Sequence, residues 1–323
     1  MALVSDLVEL GGAGIAITEF GRAETEPAGP GVVRVGIHRG GPRPERGLDA
    51  FDILLSAGPD ASRPWISTPK ADENLAALAE GVEHQPVAAA VCAQVLRLTL
   101  KGSFAEALAL ESLAYSMLLA SDGFTGWRAA TPARERPDED APRVAVEVGD
   151  DGIVIRLNRP ARRNAFDARM RDDLAEALSF ALEHPDAPPV VLCGAGPAFS
   201  AGGDLDEFGR AGDVGLAHLI RTARSPARLV DALGDRITAR LHGACVGAGI
   251  EVPAAASRVV AEPGAFFRLP EVSMGLIPGA GGTASIPRRI GRHRAAYMAI
   301  SGAEIDLPTA LAWGLVDAEA PAP

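Results

Sequence analysis

The chain has only three cysteines in 323 residues: Cys92, Cys193 and Cys245. Each lies in an apolar stretch, and none stands at metal-ligand or redox spacing from another. An odd count of this kind fits reduced, buried thiols rather than a disulfide framework. Positive charge is also scarce: 31 lysines and arginines face 42 aspartates and glutamates, for a net charge of −11. That balance argues against nucleic acid as the main partner, because a phosphate backbone needs a basic surface. It remains compatible with an anionic small ligand held by a few local arginines. No uninterrupted apolar run approaches the ~20 residues needed to span a bilayer. The opening MALVSDLVEL lacks the basic n-region of a signal peptide. A hydrophobic fraction of 47% and a charged fraction of 23% suit a large core, and the expectation is a soluble, cytoplasmic protein.

The periodicity divides the chain into four parts. Residues 1–72 contain two short apolar runs that read as buried strands, Val32–Gly40 and Phe51–Gly58, around the turn cluster GPRPERG. Residues 73–130 change to a helical period. Leu75, Leu78, Ala79 and Val82 recur on one face, a second helix covers about Val87 to Leu100, and a third runs from about Phe104 to Ala120. In the third, Leu110, Leu113, Ala114 and Met117 share a face, and SDGFTGW is expected to stop it. Residues 131–142 (TPARERPDEDAP) are charged and proline-rich, the best linker in the chain. Residues 143–323 follow an α/β rhythm: a hairpin in VAVEVGDDGIVIRLNRP, a helix opened by Asp167, the strand PPVVLCGAG, a helix over about Leu216 to Leu233, and the strand ITARL.

Two turns after strands are built from small residues, FSAGGD (Phe199–Asp204) and GACVGAGIE (Gly243–Glu251). Small side chains let a ligand approach the backbone, and unpaired N–H groups point outward where a helix begins. Two such turns facing each other could offer two N–H donors to one oxygen. Neither turn has the Rossmann spacing, and GAGGT has no following lysine for a phosphate loop. In the apolar, Gly- and Pro-rich segment from Gly249 to Gly282, Glu251 and Glu271 sit among residues that read as core. Isolated carboxylates are costly to bury, so the pair calls for partners or for chemistry.

The motifs LNRPARRNAF, PAFSAGGDL, HGACVGAGIE and FFRLPEVSMGLIPGAGGTASIPRRIG occur in one order over more than half of the chain. In order and spacing they resemble the crotonase superfamily, the enoyl-CoA hydratases and isomerases. The resemblance implies an α/β fold, a spiral of ββα units with an additional helical region, assembled as a trimer or hexamer. It implies an acyl-CoA thioester substrate, with no metal and no cofactor beyond the coenzyme A moiety. The backbone N–H groups of Gly203 and Ala248 would form an oxyanion hole for the thioester enolate. Glu251 would orient and activate water, and Glu271 would share that water and exchange the α-carbon proton. Ala161, Arg162, Arg163, Ala201, Asp204, Leu205, Gly247 and Pro270 would line the coenzyme A path, although Asp204 also suits the cap of a following helix.

The resemblance implies hydration of a 2-enoyl-CoA ester in fatty acid metabolism. Double-bond isomerisation, or a non-catalytic acyl-CoA-binding or assembly subunit, is the alternative. Some residues depart from the family pattern. Ser257 replaces a common aspartate, Pro253 follows Glu251, Ala130 stands where an aromatic is frequent, with Arg134 nearby as a substitute basic contact, and Arg268 is a candidate partner for Glu271. The family's C-terminal trimerisation helices are missing after GLVDAEA, and Glu73–Ala130 resembles them, moved in front of the core. This arrangement is either circular-permutation-like, or residues 1–72 hold the remnant of an upstream copy, with Val32–Gly58 as its strands.

Overall fold

The computed structural model describes residues 14–20, 29, 31–59, 62–135 and 140–320. Its largest sheet has six strands: β5 (Val144–Gly149), β6 (Gly152–Leu157), β7 (Val190–Gly194), β8 (Ile237–Leu241), β10 (Arg258–Ala261) and β13 (Ala318–Glu319). β5 and β6 form the expected antiparallel hairpin, and the remaining neighbours are parallel in the order β6-β7-β8-β10-β13. A smaller sheet joins β9 (Ala244–Val246), β11 (Phe266–Arg268) and β12 (Ile305–Asp306). The chain leaves β8, turns at His242-Gly243, and enters β9 in the second sheet. That change of sheet carries the second small-residue turn to the edge of the first.

The front of the chain forms a four-stranded parallel sheet of β1 (Gly14–Glu19), β2 (Val32–His38), β3 (Ile53–Ser56) and β4 (Ile66–Ser67). β2 and β3 match the two apolar runs. Helices α1 (Ala71–His84), α2 (Pro86–Leu98), α3 (Phe104–Leu118) and α4 (Asp122–Ala130) follow. Buried residues from Val33 on β2, through Leu78 and Cys92, to Val316 belong to one continuous core, so sheet and helices are packed on the α/β region of the same chain. Arg97 on α2 anchors the front sheet through a 2.6 Å ion pair with the buried Asp52. All three cysteines are free and buried.

Three local expectations change. SDGFTGW starts a helix instead of only ending one: Ser121 Oγ accepts from Phe124 N–H and caps α4. The helix expected over Leu216 to Leu233 is two, α6 (Val214–Ala223) and α7 (Pro226–Leu233), because Pro226 cannot continue the first and Ser225 caps the second. The third correction concerns α3. Leu113 and Met117 are each 57% exposed, whereas Glu111, Ser112 and Ser116 are buried. The helix buries this polar stripe, while Leu110 and Ala114 of the apolar face are half-buried against the core and only Leu113 and Met117 of that face are exposed.

Candidate active site

Asn164 and Ser200 shape the first small-residue turn. The fully buried Asn164 donates from Nδ2 to the carbonyls of Ala195, Ala198 and Phe199, and its Oδ1 accepts from Arg159 N–H. Ser200 Oγ donates to the Asn164 carbonyl and accepts from Gly202 N–H. Phe166 then takes Gly202 and Asp204 in a strand-like pairing, its N–H donating to Gly202 O and its carbonyl accepting from Asp204 N–H, both at 2.8 Å. The alternation leaves the Gly203 N–H on the opposite side, without an acceptor among the described residues.

The second turn is tied to the first through Ser200, which pairs with Ala244 and Val246. The two turns come so close that a Cβ on Gly202 would stand 2.8 Å from the Val246 carbonyl oxygen. Gly247 has φ of 51° and opens the short helix α8 (Ala248–Glu251). Ala248 contributes one of the N–H groups left free at a helix start, and it too has no acceptor among the described residues. Glu251 ends the same helical turn and Glu271 opens a 3-10 turn, Glu271–Met274.

Gly203, Asp204, Ala248, Glu251 and Glu271 line one cavity of about 590 Å³. Both glutamates are buried, but their surroundings differ. Glu251 Oε2 accepts from the N–H groups of Ala280 and Gly282 at 2.7 and 2.9 Å. These bonds favour its carboxylate, while burial pushes its pKa up to about 7. Glu271 Oε2 is sealed from solvent and has no hydrogen-bond partner among the described residues. Burial, then the nearby Glu251 charge, raise its pKa well above the usual carboxylate range. Arg268, expected as a candidate partner for Glu271, instead donates from Nε to the Gly302 carbonyl at 2.7 Å.

A third carboxylate was missed by sequence reasoning. Glu111, on the inward polar stripe of α3, lines the same cavity and is 1% exposed. It accepts from Gly281 N–H, Thr283 N–H and Thr283 Oγ–H, each at 2.7 Å. Glu111 and Glu251 therefore share the loop before α9 (Gly282–Ile290), taking alternate amides of residues 280–283. Burial, reinforced by the Glu251 charge, pushes Glu111 up to about 8. The one signal in the sequence was an isolated buried-side acid in the apolar helix FAEALALESLAYSML.

The other expected contacts are dispersed. Ala161, Arg163, Ala201 and Leu205 are exposed and Arg162 is half-buried, on surface adjoining the cavity rather than lining it. Ala201 N–H donates to the Arg163 carbonyl, and Leu205 O accepts from Arg128 Nη2 at 2.6 Å. Arg134 reaches the same segment, its backbone N–H donating to Asp206 Oδ1. Asp204 does not cap a helix: no helix follows until α6, which Asp213 caps, and Asp204 pairs with Arg159 at 2.8 Å while accepting from Asp206 N–H. Pro270 is half-buried directly before Glu271. Gly247 packs beneath Glu271, where a Cβ would collide with Glu271 Oε1. Gly247→Ala is therefore expected to push the Glu271 carboxyl group aside and, with its φ of 51°, to cost about 1–3 kcal/mol of stability, which denaturant titration of the variant checks.

Two strand-terminal turns thus place amides without acceptors among the described residues beside a cavity with two buried carboxyl groups, in an α/β protein. Family models match residues 150–322 to "Enoyl-CoA hydratase/isomerase", more than half of the chain, and the chain belongs to that family. It is 33% identical over 173 residues to a mevalonyl-coenzyme A hydratase of Beauveria bassiana, covering 51% of this chain and 62% of the relative. It is 35% identical over 166 residues to the 2,3-dehydroadipyl-CoA hydratase of Escherichia coli, covering 51% and 64%. The crystal structure of an enoyl-CoA hydratase from Thermoplasma volcanium superposes with a TM-score of 0.51 at 33% identity, over 56% of this chain and 72% of that one. The matches to these curated relatives span less than two thirds of their length.

Proposed function

We propose that the protein is a hydratase adding water to a 2-enoyl-CoA thioester. The observation that carries the reading is the meeting, in one cavity, of two unengaged amides with two carboxyl groups in unlike environments. The N–H groups of Gly203 and Ala248 receive the thioester oxygen and stabilise the negative charge that develops on it. Glu251, whose carboxylate is favoured by two amides, is the base that takes a proton from water as it adds to the β-carbon. Glu271, held protonated by burial, donates a proton to the α-carbon. The proton taken and the proton given balance, and no metal or redox cofactor enters the step.

The reading extends to the remaining expectations: coenzyme A along the surface of residues 161–163, 201 and 205, a place in fatty acid metabolism, and a trimer or hexamer in the cytoplasm. Exposed Leu113 and Met117 on α3, beside exposed Leu216, Leu219 and Ile220 on the neighbouring α6, support an assembly interface. Residues 1–72, joined through helices 73–130 and linker 131–142 to the core 143–323, remain in this proposal part of a circular-permutation-like arrangement or the remnant of an upstream copy.

The test is the loss of conjugated-thioester absorbance when purified protein meets 2-enoyl-CoA esters, with identification of a 3-hydroxyacyl-CoA product. A product with a shifted double bond would make the protein an isomerase. Saturable binding of the esters with no turnover would make it a binding subunit. The rate is expected to be bell-shaped in pH. Its lower limb rises through about pH 7 as Glu251 loses its proton, and its upper limb falls at higher pH as Glu271 loses its own. A rate that falls steadily from pH 5 upward would sink the assignment of Glu251 as base.

A further inference from the structure

The cavity wall carries a cation that the hydration step does not use. Arg221, on α6, lines the cavity and is half-buried. Its Nη1 donates to the Ser112 carbonyl at 3.3 Å, to Ser112 Oγ at 2.8 Å and to Ser116 Oγ at 3.1 Å. Its guanidinium carbon stands 4.6 Å from the centroid of the Tyr115 ring. The polar stripe of α3 therefore grips one end of the guanidinium, and Tyr115 supports one face. The opposite edge is unused: Nε and Nη2 have no hydrogen-bond partner among the described residues, and neither atom is sealed from solvent.

Apart from the solvent-exposed Arg210, the other charges around the cavity are engaged. Asp167 and Asp204 pair with Arg159, Arg171 pairs with Asp172, and Glu207 accepts from Ala168 N–H. Asp213 caps α6, and Arg210 is exposed. Glu111 and Glu251 are held by the loop amides described above. Among the described residues no aspartate or glutamate lies within ion-pair distance of Arg221. A half-buried guanidinium with no carboxylate in contact is electrostatically incomplete. Its free Nε/Nη2 edge is the fork that meets a carboxylate through two parallel hydrogen bonds.

We propose that Arg221 receives a carboxylate at the far end of the acyl chain, so that the substrate class is an ω-carboxy-2-enoyl-CoA ester. The inference rests on the hydratase reading for its chemistry, and it deepens that reading by naming the acyl group. With the thioester oxygen at Gly203 and Ala248, the acyl chain runs along α3 past Tyr115 and ends on Arg221. The Glu251 carboxylate would repel a second acid, and Arg221 is the half-buried cation of the cavity wall, without an ion-pair partner among the described residues, that offsets it.

The experiment compares two 2-enoyl-CoA esters of equal chain length, one ending in a methyl group and the other in a carboxylate, with the full chain and with Arg221→Met. The readout is the ratio of their kcat/KM values. The wild type is expected to favour the carboxylate ester by roughly 10-fold or more, and R221M to abolish or invert that ratio. Equal values in the wild type, or a preference that survives in R221M, would overturn the proposal. Where R221M does not fold, R221K serves: it keeps the charge and loses the fork, so the preference must still fall. If neither ester is hydrated, the hydratase reading fails. Calorimetric binding of the corresponding saturated pair then decides the Arg221 proposal separately, tighter binding of the ω-carboxy ester supporting it and equal binding refuting it.

Discussion

Glu271→Gln is expected to slow hydration of a 2-enoyl-CoA ester by roughly 10²- to 10⁴-fold, the span of a lost general acid, while binding of the ester changes little. Glutamine preserves shape and burial but has no carboxylic proton to give. The sealed, unpartnered Oε2 is central to this expectation. A charged oxygen there would have no donor among the described residues, whereas a neutral carboxyl group costs far less to bury. Stopped-flow absorbance at a saturating ester concentration reads the chemical step, and calorimetry with a saturated ester reads binding. Undiminished hydration in the variant would remove Glu271 from the mechanism. A parallel loss in Glu251→Gln is expected, but with a weaker hold on the loop at 280–282, because the amide side chain supplies a poorer acceptor to Ala280 and Gly282.

The second large effect is expected at Glu111, a residue that positions the reacting groups through the loop it shares with Glu251. Glu111→Gln sets an N–H donor against the donors of Gly281 and Thr283. At least one of these buried N–H groups loses its acceptor, at a cost of about 1–3 kcal/mol. Turnover should fall by roughly 10-fold or more with KM little moved, since loop 280–283 sets the Glu251 carboxylate rather than the thioester. The same variant alters the pH dependence of stability. The unfolded chain releases these protons near the ordinary glutamate pKa of 4.5, whereas the folded chain keeps them to about 7 at Glu251 and about 8 at Glu111. Between those values the native state binds more protons, so stability falls as pH rises from about 4.5 through about 8. Glu271, also raised by burial, adds to the decline in both proteins, so in E111Q the decline up to about pH 8 should become shallower. Denaturant titrations of both proteins from pH 5 to 9 measure it, and identical slopes would show that Glu111 does not carry the proton.

Glu111 also shows where a linear reading stops. The helical period placed Leu110, Leu113, Ala114 and Met117 on one face of α3, and that face exists. Periodicity identifies a stripe but does not say which neighbour it meets. Here the polar stripe is the buried one, because loop 280–283 offers it three donors. The hydrogen bonds that decide the matter link residues about 170 positions apart. The error at Leu216–Leu233 was of another kind. Ser225-Pro226 was visible as a cap and a breaker, and the apolar run on both sides hid it.

The sequence by itself determined the α/β order of the core, the two small-residue turns and the placing of Glu251 and Glu271, because each depends on local chemistry: strand runs, backbone freedom at glycine, acids in apolar company. Tertiary structure alone decided that the two turns touch through Ser200 and bring Gly203 and Ala248 to the wall of one cavity. It also left Glu271 Oε2 without a donor while giving Glu251 two. And it brought α3 from the front of the chain to close the wall with Glu111 and Tyr115, beside Arg221 of α6. Hydrogen bonding and desolvation depend on what surrounds an atom, and those surroundings come from segments far apart in the chain.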